Sequence, residues 1–321
     1  LTALTVPEAH DGMGQGPIDA MVVAEELGRG IVLEPIAQAF MASAVLSHYA
    51  PAAVQSAWLP RVASGEALVV LAQQERKARY RLDICEAKAA PAQSGYAVTA
   101  IKSIVSAGDQ ADAFIVPAQL DGQIALFLVE RAAAGVITRG YVTQDGSRAA
   151  EVQLVNAPAT LITTDGLAAL ELAVDTGIAA TCAEAVGVMD KTVAITVEYM
   201  NQRKQFGVFI ASFQALRHRV ADMKMQLELA RSMSYYASLK LGAPAPERRA
   251  AMARAKVQLG QSMRFVGQQA VQLHGGIGVT DEYIVSHYFK KLTQLEVAFG
   301  DTLHHLGEVS ARMQDTAGGF A

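Results

Sequence analysis

Hydrophobic spacing divides the chain into three stretches. From Leu167, apolar or small residues recur at Leu170, Val174, Ile178, Thr181, Ala185, Val188, Thr192, Ile195 and Tyr199. A second series runs Phe213, Leu216, Val220, Met223, Leu227 and Ala230, and a third Met252, Ala255, Leu259, Met263, Val266, Ala270 and Leu273. Steps of three and four residues put each series on one face of a helix and predict long helices packed at shallow angles, as in a four-helix bundle. Pro244 and Pro246 separate the second helix from the third. Upstream the period changes. The runs ALVVLA, GYAVTAIKSIV, ADAFIV, IALFLV, GVITRGYV and AAEVQLV, punctuated by Gly122, Gly135, Gly140 and Asp145-Gly146, predict an antiparallel sheet or small barrel. The opening stretch predicts a glycine loop from Asp11 to Pro17, a helix from Ile18 to Arg29, a second after Pro35, and a third from Pro51 to Ala63 carrying the single tryptophan, Trp58.

Helices, then strands, then long helices make an α+β multi-layer protein rather than a doubly wound sheet. The expected division is an N-terminal helical domain over 1–65, a central antiparallel β-domain over 66–160 and a C-terminal four-helix bundle over 161–321. Gly12, Gly14 and Gly16 follow a proline-containing loop and not a strand, which argues against a dinucleotide-binding βαβ unit.

Composition narrows the function. With 321 residues and 51% hydrophobic content, the chain can bury about three quarters of its unfolded surface. The net charge of −4 and the absence of a basic block speak against nucleic-acid binding. No uninterrupted apolar run reaches the ~18–20 residues that cross a bilayer, so no membrane association is expected. Cys85 and Cys182 lie far apart in apolar settings and read as inert thiols of a reducing cytoplasm. The opening Leu-Thr-Ala-Leu begins mid-motif, so residues before it are expected.

Two segments carry candidate chemistry. The first is Arg203-Lys204-Gln205-Phe206-Gly207, then Ser212-Phe213-Gln214 and Ala221-Asp222-Met223. The second is Gln272-Leu273-His274-Gly275-Gly276-Ile277-Gly278, then Thr280-Asp281-Glu282-Tyr283. An arginine beside a turn glycine presents a fork to phosphate. Glycines ending a long helix admit close approach and are expected to leave backbone amides free. Taken alone, each segment reads equally well as a capping turn with a surface arginine.

Together these segments resemble the acyl-CoA dehydrogenase family. The resemblance extends to Val6-Pro7-Glu8, to Glu25-Glu26-Leu27-Gly28-Arg29, to Lys102-Ser103-Ile104-Val105-Ser106 and to Ala111-Asp112-Ala113, and lacks only the family's opening helices. It implies the same three-part fold and an FAD lying across a subunit interface, its ring against one subunit's β-domain and its ADP half against the bundle of the next. By that resemblance Arg203, Gln205 and Phe206 contact the pyrophosphate and adenosine end, and Gln272, Gly275 and Gly276 close around it.

The sequence departs from the family where its chemistry is done. Removing a proton alpha to a thioester needs a carboxylate whose pKa is raised by burial. The matching turn here is Val297-Ala298-Phe299-Gly300-Asp301-Thr302, with Phe299 at the glutamate position. A second position used in the family falls on Gly177, with Asp175 facing elsewhere. No catalytic residue is therefore assigned; Asp301 is the substitute base if the chain works alone. The family's Thr-Glu-Pro-like turn is Gln73-Gln74-Glu75-Arg76 here. The turn that carries its stacking aromatic is Ile104-Val105-Ser106, whose Ser106 retains a hydroxyl for the flavin.

The resemblance is to the small subunit of heteromeric members that act on dicarboxylic or steroid side-chain thioesters. It implies a related partner subunit in a heterotetramer, an acyl-CoA substrate and electron-transferring flavoprotein as acceptor. The alternatives are a self-sufficient homo-oligomer and a non-catalytic scaffold. His304 and His305 read as a wet helix end rather than a metal site, and His274 as a backbone-positioning residue. Met223, Met225, Met233, Met252 and Met263 are expected in the bundle core, with Glu228 and Arg231 paired on a helix face.

Overall fold

The computed structural model describes residues 1–93 and 95–317, with side chains as far as 313. The last residues of the C-terminal stretch, 318–321, lie outside the described residues. The chain separates into two compact units, one of residues 1–20 and 33–177, the other of residues 21–32 and 178–321.

In the first unit, α2 (Ile36–Tyr49) and α3 (Ala52–Ser64) precede a sheet of β1 (Val69–Leu71), β2 (Lys88–Pro91), β3 (Tyr96–Ser106), β4 (Ala113–Leu120), β5 (Gln123–Glu130), β6 (Val136–Val142) and β7 (Arg148–Thr163). Helix α1 (Pro17–Arg29) runs from this unit into the other. Pairing is antiparallel for β4–β5, β5–β7, β3–β7, β6–β7 and β2–β3, whereas β1–β4 and β2–β4 are parallel. Strand β4 is buried almost end to end, as a central strand covered on both faces must be. Strands β3 and β7 alternate, with Val98, Ala100, Val152 and Leu154 inward around Phe114 and Phe127. Helix α2 lies on β1, where the buried Gln38 Oε1 accepts the Leu71 amide at 3.0 Å. Strand β2 escapes the sequence reading because Lys88-Ala89-Ala90-Pro91 has neither alternation nor a β-branched residue.

In the second unit the C-terminal stretch forms α4 (Gly166–Gln202), which begins in the first unit, then α5 (Gln214–Lys240), α6 (Ala245–His274), α7 (Ile284–Val297) and α8 (Thr302–Ala317). The predicted seams of α4 and α6 are buried: Ile178, Ala185, Val188 and Thr192 on α4, and Met252 through Leu273 on α6. The seam of α5 is buried only from Met223 onward, and Met225, expected in the core, is exposed together with Leu229 and Leu239. Helices α7 and α8 both pack on α6. Helix α1 crosses α4 closely: a Cβ at Gly187 would overlap the Glu25 carbonyl. That crossing is bordered by charge. Arg29 pairs with Glu25 at 3.1 Å and also with Asp190, and Arg231 pairs with Glu25, with Asp190 and with Glu228, the last two at 3.6 Å. Helix α4 is long and apolar enough to cross a membrane, but 89% of its most apolar window is buried inside the protein.

Candidate functional site

Helix α4 ends at Gln202, and the chain folds into a hairpin of β8 (Lys204–Gln205) and β9 (Val208–Phe209) before α5 begins. The turn residues Phe206 and Gly207 both have positive φ, 52° and 80°. That geometry suits Gly207 and strains Phe206, which is 91% exposed and touches Phe213 edge-on, centroids 6.2 Å apart. The Arg203 side chain has no ion-pair partner among the described residues. Among the described residues the Gln205 side-chain amide donates only to the neighbouring Lys204 carbonyl, at 2.8 Å. An arginine, an amide and a large aromatic ring are thus held out on a tight turn.

The second segment ends α6. Gly275 takes φ 67° and ψ −141°, a conformation for glycine, and open space lies beyond both Gly275 and Gly276. Gln272 is exposed beside them. One expectation is corrected here. The Gly275 amide is not free, because it donates back to the Val271 and Gln272 carbonyls. A helix C-terminus exposes carbonyls rather than amides, so approach here is to open backbone and not to a nest of donors.

Tyr199 ties the two segments together. It stands one turn before Arg203, whose amide donates to the Tyr199 carbonyl at 2.9 Å. Its hydroxyl donates to the His274 carbonyl at 3.2 Å, and its ring stacks on the His274 ring at 4.4 Å. His274 Nδ1 donates to the Ala270 carbonyl at 2.8 Å, which leaves Nε2 as an acceptor, buried and unpartnered among the described residues. Burial pushes the His274 pKa down, which favours the neutral ring, and the Ala270 contact opposes it.

The turn between α7 and α8 is braced on every side. Lys256, fully buried on α6, donates to the Leu295 and Glu296 carbonyls at 2.8 and 3.1 Å. Burial pulls its pKa down to about 8. Glu296 accepts the Thr302 hydroxyl at 2.6 Å, the Thr302 amide at 3.1 Å and Arg264 at 3.1 Å. His305 donates to the Phe299 carbonyl at 3.1 Å. Phe299, the residue expected from the sequence at the position of the family's glutamate, is half-buried with φ 57°. Asp301 caps α8, accepting the His304 amide at 2.8 Å. His305 is buried and not wet, and burial drives its pKa down to about 3.

In the first unit, the segments 73–76 and 103–106 meet at a pocket of about 340 Å³. The Ser103 amide donates to the Gln74 carbonyl at 2.9 Å. Beneath them Lys102 Nζ, wholly buried, lies 2.6 Å from Glu75 and 2.9 Å from the Pro117 carbonyl. Glu75 also accepts the Glu86 and Ala87 amides at 2.5 and 3.2 Å. Burial works to raise the Glu75 pKa, but the Lys102 charge and these hydrogen bonds hold it below the usual value. Ile104 has φ 53°, strained for a β-branched residue, and is 50% exposed at the pocket edge. Glu151 accepts the Ser103 hydroxyl at 2.8 Å and the Ile104 amide at 3.4 Å, which holds that strain. Sequence reading missed the Glu75–Lys102 pair. The signal was available, since alternation along Val98, Ala100 and Lys102 turns the lysine inward, where it needs a partner.

Known proteins share this architecture. The family model described as "Acyl-CoA dehydrogenase, C-terminal domain" matches residues 164–314, and that described as "Acyl-CoA dehydrogenase, N-terminal domain" matches 1–66. The acyl-CoA dehydrogenase IpdE2 of Mycobacterium tuberculosis is 30% identical over 90% of this chain and 76% of its own length. Among solved structures, the Tcur3481-Tcur3483 steroid ACAD superposes with a TM-score of 0.90 at 26% identity, covering 99% of this chain and 86% of its own. The ChsE4-ChsE5 complex of M. tuberculosis superposes at 0.88 and 26%, covering 98% and 85%. The chain belongs to the acyl-CoA dehydrogenase family of FAD-dependent oxidoreductases.

Proposed function

We propose that this chain is one subunit of a heteromeric acyl-CoA dehydrogenase, that it clasps the ADP half of an FAD, and that a related partner supplies the catalytic glutamate. The observation that carries the reading is the α7–α8 turn. It is fully braced, yet it presents Phe299 where the base would stand, and its one carboxylate, Asp301, is used as a helix cap.

The residues fit a nucleotide on the side of the second unit. Arg203 is a free guanidinium fork for a diphosphate, Phe206 an exposed ring for a base or ribose, and Gly275 and Gly276 a surface without side chains. They fit a flavin ring poorly in the first unit, where Ile104 replaces the stacking aromatic and charged side chains line the pocket. Bound FAD supplies the hydride acceptor for alpha,beta-dehydrogenation of a CoA thioester. In that assembly residues 161–321 hold the clasp, while residues 1–65 and 66–160 face the partner and its substrate. The solved relatives described as a steroid ACAD and as a two-protein complex favour a steroid-derived thioester and a heterotetramer. We assign electron-transferring flavoprotein as acceptor by the same family likeness, and the cytoplasm as compartment on the two free thiols.

Expression alone and with a related subunit tests this. FAD is expected only in the co-expressed protein, and Arg203→Ala should lower its occupancy through loss of a contact worth about 1.5–3 kcal/mol. Full FAD content with turnover of the chain alone would favour a self-sufficient enzyme with Asp301 as base. FAD in the co-expressed protein that is indifferent to Arg203→Ala would favour a scaffold.

A further inference from the structure

The segment 76–81 between β1 and β2 carries four cations, Arg76, Lys77, Arg79 and Arg81. Two are neutralised locally. Lys77 Nζ donates to Glu86 at 2.6 Å, and Arg81 donates to both Asp83 oxygens at 3.0 and 2.5 Å. The other two, Arg76 and Arg79, have no carboxylate partner among the described residues. Arg76 and Arg79 line the 340 Å³ pocket; Lys77 and Arg81 do not. The loop has thus satisfied the cations that face away from the pocket and left those that face it unmatched. Arg79 is held there in a left-handed conformation, φ 49°.

The charge on the remaining wall selects among anions. Glu75 is matched by Lys102, so it adds no net charge. Glu151 is hydrogen-bonded to Ser103 but has no cation of its own among the described residues, so the lining carries two positive charges and one negative. A dianion such as phosphate would meet repulsion from Glu151. A planar carboxylate matches guanidinium forks and leaves Glu151 and Gln74 to take a hydrogen-bond donor next to it. The volume is at the small end for ligand pockets.

We propose that this pocket binds the carboxylate of a small organic acid between Arg76 and Arg79, with a hydroxyl or amide of the same molecule donating to Glu151. The proposal is independent of the nucleotide clasp, because every residue it uses belongs to the first unit.

Titration of the full chain with glutaramate, in the absence of FAD, tests it by calorimetry and saturation-transfer NMR. Saturable binding is expected, weakened on the order of tenfold or more by Arg76→Gln or by Arg79→Gln and unchanged by Lys77→Gln. Both arginines are exposed, and unchanged thermal unfolding of the variants would show that the fold is intact. Glutaryl-CoA against butyryl-CoA separates the sources. A preference for glutaryl-CoA that the arginine variants abolish makes the anion an acyl terminus; equal binding of the two thioesters, with glutaramate still bound, makes it a free acid. Binding that ignores both arginine variants, phosphate binding tighter than glutaramate, or FMN occupying the pocket without the arginines would each overturn the proposal.

Discussion

The Tyr199 hydroxyl donates to the His274 carbonyl at 3.2 Å while the two rings stack at 4.4 Å. Through this one side chain the arginine-bearing hairpin and the glycine end of α6 are held as a single surface. Tyr199→Phe keeps the stack and removes the hydrogen bond. It should cost about 1 kcal/mol of stability and lower FAD content in the co-expressed protein. Both are read from one preparation, by thermal unfolding and flavin absorbance. Unchanged flavin content would mean that the two segments do not act together.

Asp301 is a helix cap before it is anything else. Asp301→Ala should destabilise by about 1 kcal/mol and leave turnover of the heteromer within a few-fold. A fall of several orders of magnitude in kcat, with the fold intact, would make Asp301 the base.

Lys102 and Glu75 form a buried pair at the floor of the first-unit pocket. Lys102→Met strands the Glu75 charge and should cost about 3–5 kcal/mol in urea unfolding. Adding Glu75→Gln should recover part of the loss. If the single and double variants were equally unstable, the cost would lie in packing rather than in the stranded charge.

Acid should destabilise the protein in two stages. Burial lowers the His305 pKa from 6.5 to about 3, so between these values the unfolded chain binds a proton that the folded chain does not. Stability therefore falls as pH drops below 6.5, with a slope approaching about 1.4 kcal/mol per pH unit. Glu75, held below its ordinary 4.5, adds a second loss beneath that value. His305→Gln should reduce the slope of the first stage, leaving the smaller share of His274 and His304, whose pKa values burial also lowers, and spare the second, as followed by chemical unfolding across pH. An unchanged slope between pH 6.5 and 4.5 would show that His305 titrates normally.

Much of the fold was legible because periodicity records burial. The seams of α4 and α6 and the six apolar runs all became elements in the stretches that carry them. Failures came where partners lie far off in sequence. The exposed start of α5 and exposed Met225 follow a helical pattern whose apolar face is left uncovered within this chain. Strand β2 owes its pairing to β3 and β4 and not to its own residues. In the site, motif letters located Arg203 and Gly275 but could not show Tyr199 between them, nor that the Gly275 amide is already bonded. Lys256 was hidden inside the α6 series. A lysine one position after Ala255 lies on the buried face and marks a carbonyl pair to be held, which turned out to be Leu295 and Glu296.

The most direct measurement is photo-crosslinking of the co-expressed complex with FAD carrying an azide on its adenine ring, followed by peptide mapping. The account predicts label on this chain within residues 203–216 or 272–280. Label confined to the partner subunit, or on this chain only in the first unit, would contradict it.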